Sequence, residues 1–291
     1  MSADDTTTLE SITVDTTDGA ALSLRLLPQT DPTAPLVLIL PAMSLPAKYY
    51  LSLVKALHLA GLSAAVVDLR AQGESKPELG AGADFGYRTL LEVDLPAVLG
   101  ALGRRLPAAP VHLFGHSLGG QLALLFSAAE PDRVRSVTTI GTGSVYWRSF
   151  PRQDRLVNLL RTQWVGLVCR LRGRWPGGGG IGPMAAGVML DWARHARTGR
   201  YRPRGSARDY DGLLARLTLP ALVISLDNDP LGPEPNISFL CGRMPSVTPT
   251  RWHIDKSLGM AHIGHSSWLK DSAAVAPAVA AWITEGVAPA N

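Results

Sequence analysis

The chain has 291 residues, 46% of them hydrophobic and 18% charged, with a formal net charge of +4. That describes a globular chain able to bury a large core, long enough for one large α/β domain with an insertion. No apolar run is long enough to span a bilayer. The two cysteines, Cys169 and Cys241, lie far apart and read as free thiols, and no Cys/His cluster has zinc-site spacing.

Residues Met1 to Glu10 have neither a basic start nor an apolar segment, so no signal peptide is expected and the expected compartment is cytoplasmic. Residues 11–14 and 22–27 are predicted strands of a hairpin around Asp18-Gly19. Residues 35–40, Pro-Leu-Val-Leu-Ile-Leu, form an apolar run suited to a buried parallel strand. A helix over 47–59 follows, stopped by Gly61, then a strand over 63–69 and a helix over 87–106. Further strands are predicted at 111–114, 134–140, 221–225 and 251–254, with a closing helix over 273–284. Strands separated by helices imply βαβ units and a mostly parallel sheet covered on both faces.

The alternation breaks between Gly143 and about Gly212. Two helical patches, 157–171 and 185–196, are joined there by Pro176 and four glycines, which read as a flexible hinge or loop. The expected organisation is a core in two parts, residues 1–143 and 212–291, with an inserted, mainly helical cap at 144–211. From Gly143 to Asp211 thirteen arginines face four aspartates, a net +9, which leaves −5 for the rest of the chain. With no nucleic-acid-binding motif beside it, this charge reads as a solvated arginine face.

The chemistry concentrates around Ser117. Gly115-His116-Ser117-Leu118-Gly119 is a G-x-S-x-G pattern between a short apolar strand and the helical run 121–129. That setting presents a serine hydroxyl at the C-terminal edge of a sheet. The two glycines remove side-chain atoms that would collide across so sharp a turn.

Serine is a poor nucleophile unless a base accepts its proton and an acid orients that base. On such a scaffold the acid and then the histidine follow the serine along the chain. Asp229 is the candidate acid, in the turn after strand 221–225. His262 and His265, on the loop before the last helix, are the candidate bases. His265 is preferred because Gly264 before it lets the loop approach the sheet edge closely. His116 reads as loop support, and His253 as structural. The amides of Met43 and Leu118 are the expected oxyanion donors. Tyr146, Trp147 and Trp164, large apolar side chains in the inserted segment, are expected to line the substrate pocket.

These residues resemble the α/β-hydrolase superfamily over nearly the whole chain, and are similar to a group of predicted bacterial hydrolases. The resemblance rests on residues 115–120, on Asp68-Leu69-Arg70-Ala71-Gln72-Gly73-Glu74-Ser75, on Asp229-Pro230-Leu231-Gly232-Pro233, and on Ile263-Gly264-His265. It extends to the turn at 42–50 and to residues 143–148. Three departures are Pro41-Ala42 in place of His-Gly, Ala71 in place of glycine, and Ser266-Ser267-Trp268 in place of an aromatic-rich run after the histidine. The resemblance implies an α/β-hydrolase fold and a serine hydrolase cleaving an ester or thioester of a small molecule, with no cofactor and no metal. An acyltransferase using the same three residues is the alternative, ahead of a non-catalytic binding protein on the same scaffold. The oligomeric state stays open.

Overall fold

The computed structural model describes residues 8–80 and 84–289. In chain order the elements begin with β1 (Glu10–Asp15), β2 (Ala21–Leu27), β3 (Leu36–Leu40), α1 (Leu51–Leu59), β4 (Ser63–Val67), α2 (Tyr87–Thr89) and α3 (Leu95–Arg105). Next come β5 (Val111–His116), α4 (Leu118–Ala129), β6 (Ser136–Ile140) and α5 (Arg155–Arg172). A ribbon of β7 (Arg174–Trp175) and β8 (Met184–Ala185) leads to α6 (Ala186–Thr198) and α7 (Tyr210–Ala215). The chain closes with β9 (Ala221–Leu226), α8 (Glu234–Cys241), β10 (Thr250–Ile254) and α9 (Ala276–Glu285).

Eight strands form the main sheet in the order β1-β2-β4-β3-β5-β6-β9-β10. β1 and β2 pair antiparallel at one edge, and the pairs from β4 to β10 are parallel. Every residue of β3 and β4 is buried, as expected of strands covered on both faces. The two-residue period splits β3 between two cores. Leu36, Leu38 and Leu40 join the core under α3 and α4, whereas Val37 and Ile39 join the core under α1 and α9.

Local chemistry explains the irregular joints. Residues 87–105 run as one helical rod, but Leu90–Asp94 is a π turn in which the Leu95 amide reaches back to the Leu90 carbonyl. Pro96 follows at once; it has no amide to continue the α ladder, and the turn widens there. The glycine run is a hairpin tip rather than a hinge. Gly178 and Ile181 pair through two backbone bonds of 2.8 and 3.1 Å, and Gly177 to Gly180 all take positive φ. Ala71 occupies a left-handed position at φ 60°, the conformation for which glycine is the ordinary choice.

β3 connects to β4 on one side, and the chain then returns to place β5 on β3's other side. In an open parallel sheet, such a reversal leaves a crevice at the C-terminal strand ends.

Candidate active site

Five strand ends supply the site. Pro41 to Ser44 follow β3, Ser117 follows β5, Gly141 follows β6, Asp229 follows β9 and His265 follows β10. Ser117 holds φ 53° and ψ −114°, a strained backbone between strand and helix. The flanking glycines are sterically forced. A Cβ on Gly115 would lie 2.3 Å from the Gly120 Cα, and one on Gly119 would lie 1.9 Å from the Leu40 carbonyl oxygen.

The structure brings Ser117, His265 and Asp229 into one hydrogen-bonded line. His265 Nε2 lies 2.9 Å from Ser117 Oγ, and its Nδ1 lies 3.0 and 2.9 Å from the two Asp229 oxygens. The Asp229 side chain is fully buried. The amides of Leu231 and Gly232, each at 2.9 Å, donate to its Oδ1, so its charge is held by fixed donors as well as by the imidazole. His262 is turned away. It is exposed, and its ring and its amide both contact Asp271.

Leu118 is the first residue of α4, so its amide has no acceptor inside the helix. The Met43 amide likewise has no backbone acceptor among the described residues. A buried relay behind them was not singled out from sequence. The Ala42 amide donates to Tyr50 Oη at 2.8 Å, and Tyr50 Oη lies 2.7 Å from His116 Nδ1. His116 Nε2 lies 2.7 Å from the His265 carbonyl. A carbonyl only accepts, so Nε2 carries the proton and Nδ1 accepts from the Tyr50 hydroxyl. The Trp268 indole N–H, at 3.4 Å from Nε2, is the longer contact. Burial first, and then the neighbouring His265, hold the His116 pKa well below 6.5, so its ring stays neutral. The loop-support reading of His116 is thus given definite partners on both sides.

Residues 35–167 match the family described as alpha/beta hydrolase fold. An esterase from Thermogutta terrifontis, solved with malate bound, superposes with a TM-score of 0.64 at 18% identity, covering 94% of this chain and 98% of that one. The chain has the α/β-hydrolase fold. A thioesterase domain from the curacin biosynthetic pathway gives 0.62 at 16% identity, over 94% of this chain and 99% of that one. Est1E from Butyrivibrio proteoclasticus, with ferulic acid bound, gives 0.61 at 14% identity, over 91% and 96%. No curated protein matches this chain significantly by sequence.

A cavity of about 180 Å³ opens onto Ser117 and His265. Met43, Leu118, Tyr87 and Gln121 line its sheet side, and Phe150, Asn158, Arg161, Thr162, Ile181 and Trp192 line the side formed by the segment after β6. Gln121 is fixed by bonds to the Tyr87 hydroxyl and the Gly143 carbonyl. The Gly182 amide donates to Ser44 Oγ at 2.8 Å, tying the hairpin to the turn that carries Met43.

The three aromatics expected in the pocket, Tyr146, Trp147 and Trp164, are not among the residues that line the cavity. Trp164 is 61% exposed, on the side of α5 opposite the buried Thr162, Val165, Gly166 and Cys169. Tyr146 packs against Phe239 at a ring distance of 5.3 Å, and Trp147 sits edge-on to Tyr146 with Arg148 over its ring. Among the described residues, no group of three or more His, Cys, Asp or Glu side chains is placed to hold a metal ion.

Proposed function

We propose that the protein is a serine hydrolase that cleaves a carboxylic ester or thioester of a small molecule through an acyl-enzyme on Ser117. The observation that carries this reading is the unbroken line from Ser117 Oγ through His265 to the buried Asp229, at the mouth of an apolar-walled cavity. His265 Nε2 takes the serine proton as Oγ attacks the carbonyl carbon. Asp229 holds the Nδ1 proton and stabilises the imidazolium that forms. The amides of Met43 and Leu118 receive the oxyanion. His265 then returns its proton to the leaving alcohol or thiol. Water, deprotonated by the same imidazole, releases the acid and restores Ser117.

Residues 144–211 act as a cap whose inner side selects the substrate. Phe150, Ile181 and Trp192 offer apolar surface, and Arg161 and Asn158 offer polar anchors, the mixture typical of small-molecule sites. The esterase and thioesterase among the superposing structures support the reaction class. The test is labelling by a fluorophosphonate probe, together with turnover of a panel of p-nitrophenyl esters and acyl thioesters. Labelling confined to Ser117, and turnover lost on the order of 10⁴-fold in Ser117→Ala, are expected. Labelling and turnover retained in folded Ser117→Ala would remove the proposal. Partition of the acyl group to added alcohols in preference to water would recast the enzyme as an acyltransferase.

A further inference from the structure

Helix α5 is apolar on two opposite sides. Thr162, Val165, Gly166 and Cys169 are buried. On the far side Leu156, Val157, Leu160, Trp164, Leu167 and Leu171 are between 43% and 77% exposed. At 100° per residue these six project within an arc of about 100°. They are six of the ten exposed large hydrophobic side chains among the described residues. Lone exposed leucines are ordinary, but a continuous stripe along one helix marks a surface that is covered in use.

The charge around the stripe indicates what covers it. α5 contains Arg155, Arg161, Arg170 and Arg172 and no acid; Asp154 stands just before it. Arg170 and Arg172 are exposed and flank the stripe on opposite sides in the last turn, with exposed Arg174 just beyond. Two copies laid stripe to stripe would bring these arginines together if parallel, and if antiparallel would set them beside Arg152 and Arg155 with the single Asp154 between, so either seam keeps an excess of positive charge. An anionic surface neutralises them while its interior takes the leucines. No described helix is long and apolar enough to cross a membrane, so the geometry fits a helix lying in the plane of the interface.

We propose that the outer face of α5 docks the protein on anionic lipid bilayers, with Leu156, Leu160, Trp164, Leu167 and Leu171 entering the headgroup boundary and Arg170 and Arg172 meeting lipid phosphates. The docking is independent of the reaction assigned to Ser117. It also places α5, whose other side carries Asn158, Arg161 and Thr162 of the cavity wall, directly against lipid.

The test is co-sedimentation of the full chain with vesicles of phosphatidylcholine alone or with about 30% phosphatidylglycerol. Brominated acyl chains serve as quenchers, since Trp164 is the one exposed tryptophan of the seven. Binding to the anionic vesicles with quenching is expected. It should weaken on the order of a hundred-fold in Leu156→Gln/Leu160→Gln/Leu171→Gln and about thirty-fold in Arg170→Gln/Arg172→Gln. About 0.5 M NaCl should reproduce the arginine effect. Unchanged melting temperature and unchanged fluorophosphonate labelling of Ser117 establish that the variants are folded. Failure of the native chain to bind anionic vesicles overturns the proposal, as does undiminished binding by the folded leucine variant. A dimer abolished by the leucine substitutions, in a chain that ignores vesicles, assigns the face to a second copy instead.

Discussion

Tyr50→Phe removes one oxygen from the interior and tests the tie between two halves of the site. Tyr50 is fully buried, and burial holds its phenol far above pH 10, so the hydroxyl keeps its proton at any working pH. It accepts from the Ala42 amide and donates to His116 Nδ1. Ala42 precedes Met43, and His116 in turn holds the backbone of His265. With the hydroxyl gone, a buried amide and a buried imidazole nitrogen each lose their partner. At roughly 1–3 kcal/mol for each of the two orphaned groups, the expected loss is about 2–6 kcal/mol of folding stability. Both groups flank the reacting atoms, so a fall in kcat of about tenfold, with KM little changed, accompanies it. Urea unfolding gives the stability, and steady-state kinetics on a short p-nitrophenyl ester give the rate. A variant within about 0.5 kcal/mol of the native protein with native kcat would refute the relay as a structural device.

Asp229→Asn keeps the shape of the side chain but cannot hold the His265 tautomer. Turnover should fall by about 10³–10⁴ while KM changes little, as read by steady-state kinetics. Gly119→Ala drives a Cβ to 1.9 Å from the Leu40 oxygen and 2.7 Å from the Pro41 oxygen, both backbone atoms that have little freedom to move. Destabilisation of at least about 1–3 kcal/mol is expected in thermal melts, with activity lost as the Met43 turn is displaced. Stability should also fall with acid. Burial lowers the pKa of His112 to about 4 and of His195 to about 3, and holds that of His116 well below 6.5. Each takes up a proton near pH 6.5 only when unfolded. Their contribution is therefore full above that pH and is lost as pH falls through 6.5 toward the folded values, at up to about 4 kcal/mol per pH unit for the three together. Urea midpoints that stay flat from about pH 7 to 5 would contradict neutral burial of these rings.

The elements legible in the sequence are those governed by neighbours along the chain. The apolar run at 35–40 is suited to a strand buried on both faces, and the residues of β3 divide between the two cores by the two-residue period. Ser117 was legible because an elbow is a local object: the same few residues make the strand end, the strained φ and the helix start. Asp229 was reachable because it lies just past the end of β9 and chain order supplies the rest. Three matters were settled only in three dimensions. His262 and His265 sit three residues apart on one loop, and which ring reaches Ser117 depends on how that loop folds back, with Gly264 at φ 144°. The Tyr50–His116 bond joins residues 66 apart, and hydrogen-bond partners at that distance leave no periodic trace in the sequence. The outward position of Trp164 is not legible in the sequence because α5 is apolar on two arcs. Periodicity finds the arcs but carries no sign, and only the packing of α5 against α6, close enough at Gly166 for an added Cβ to meet Ala193 at 3.1 Å, decides which arc turns inward.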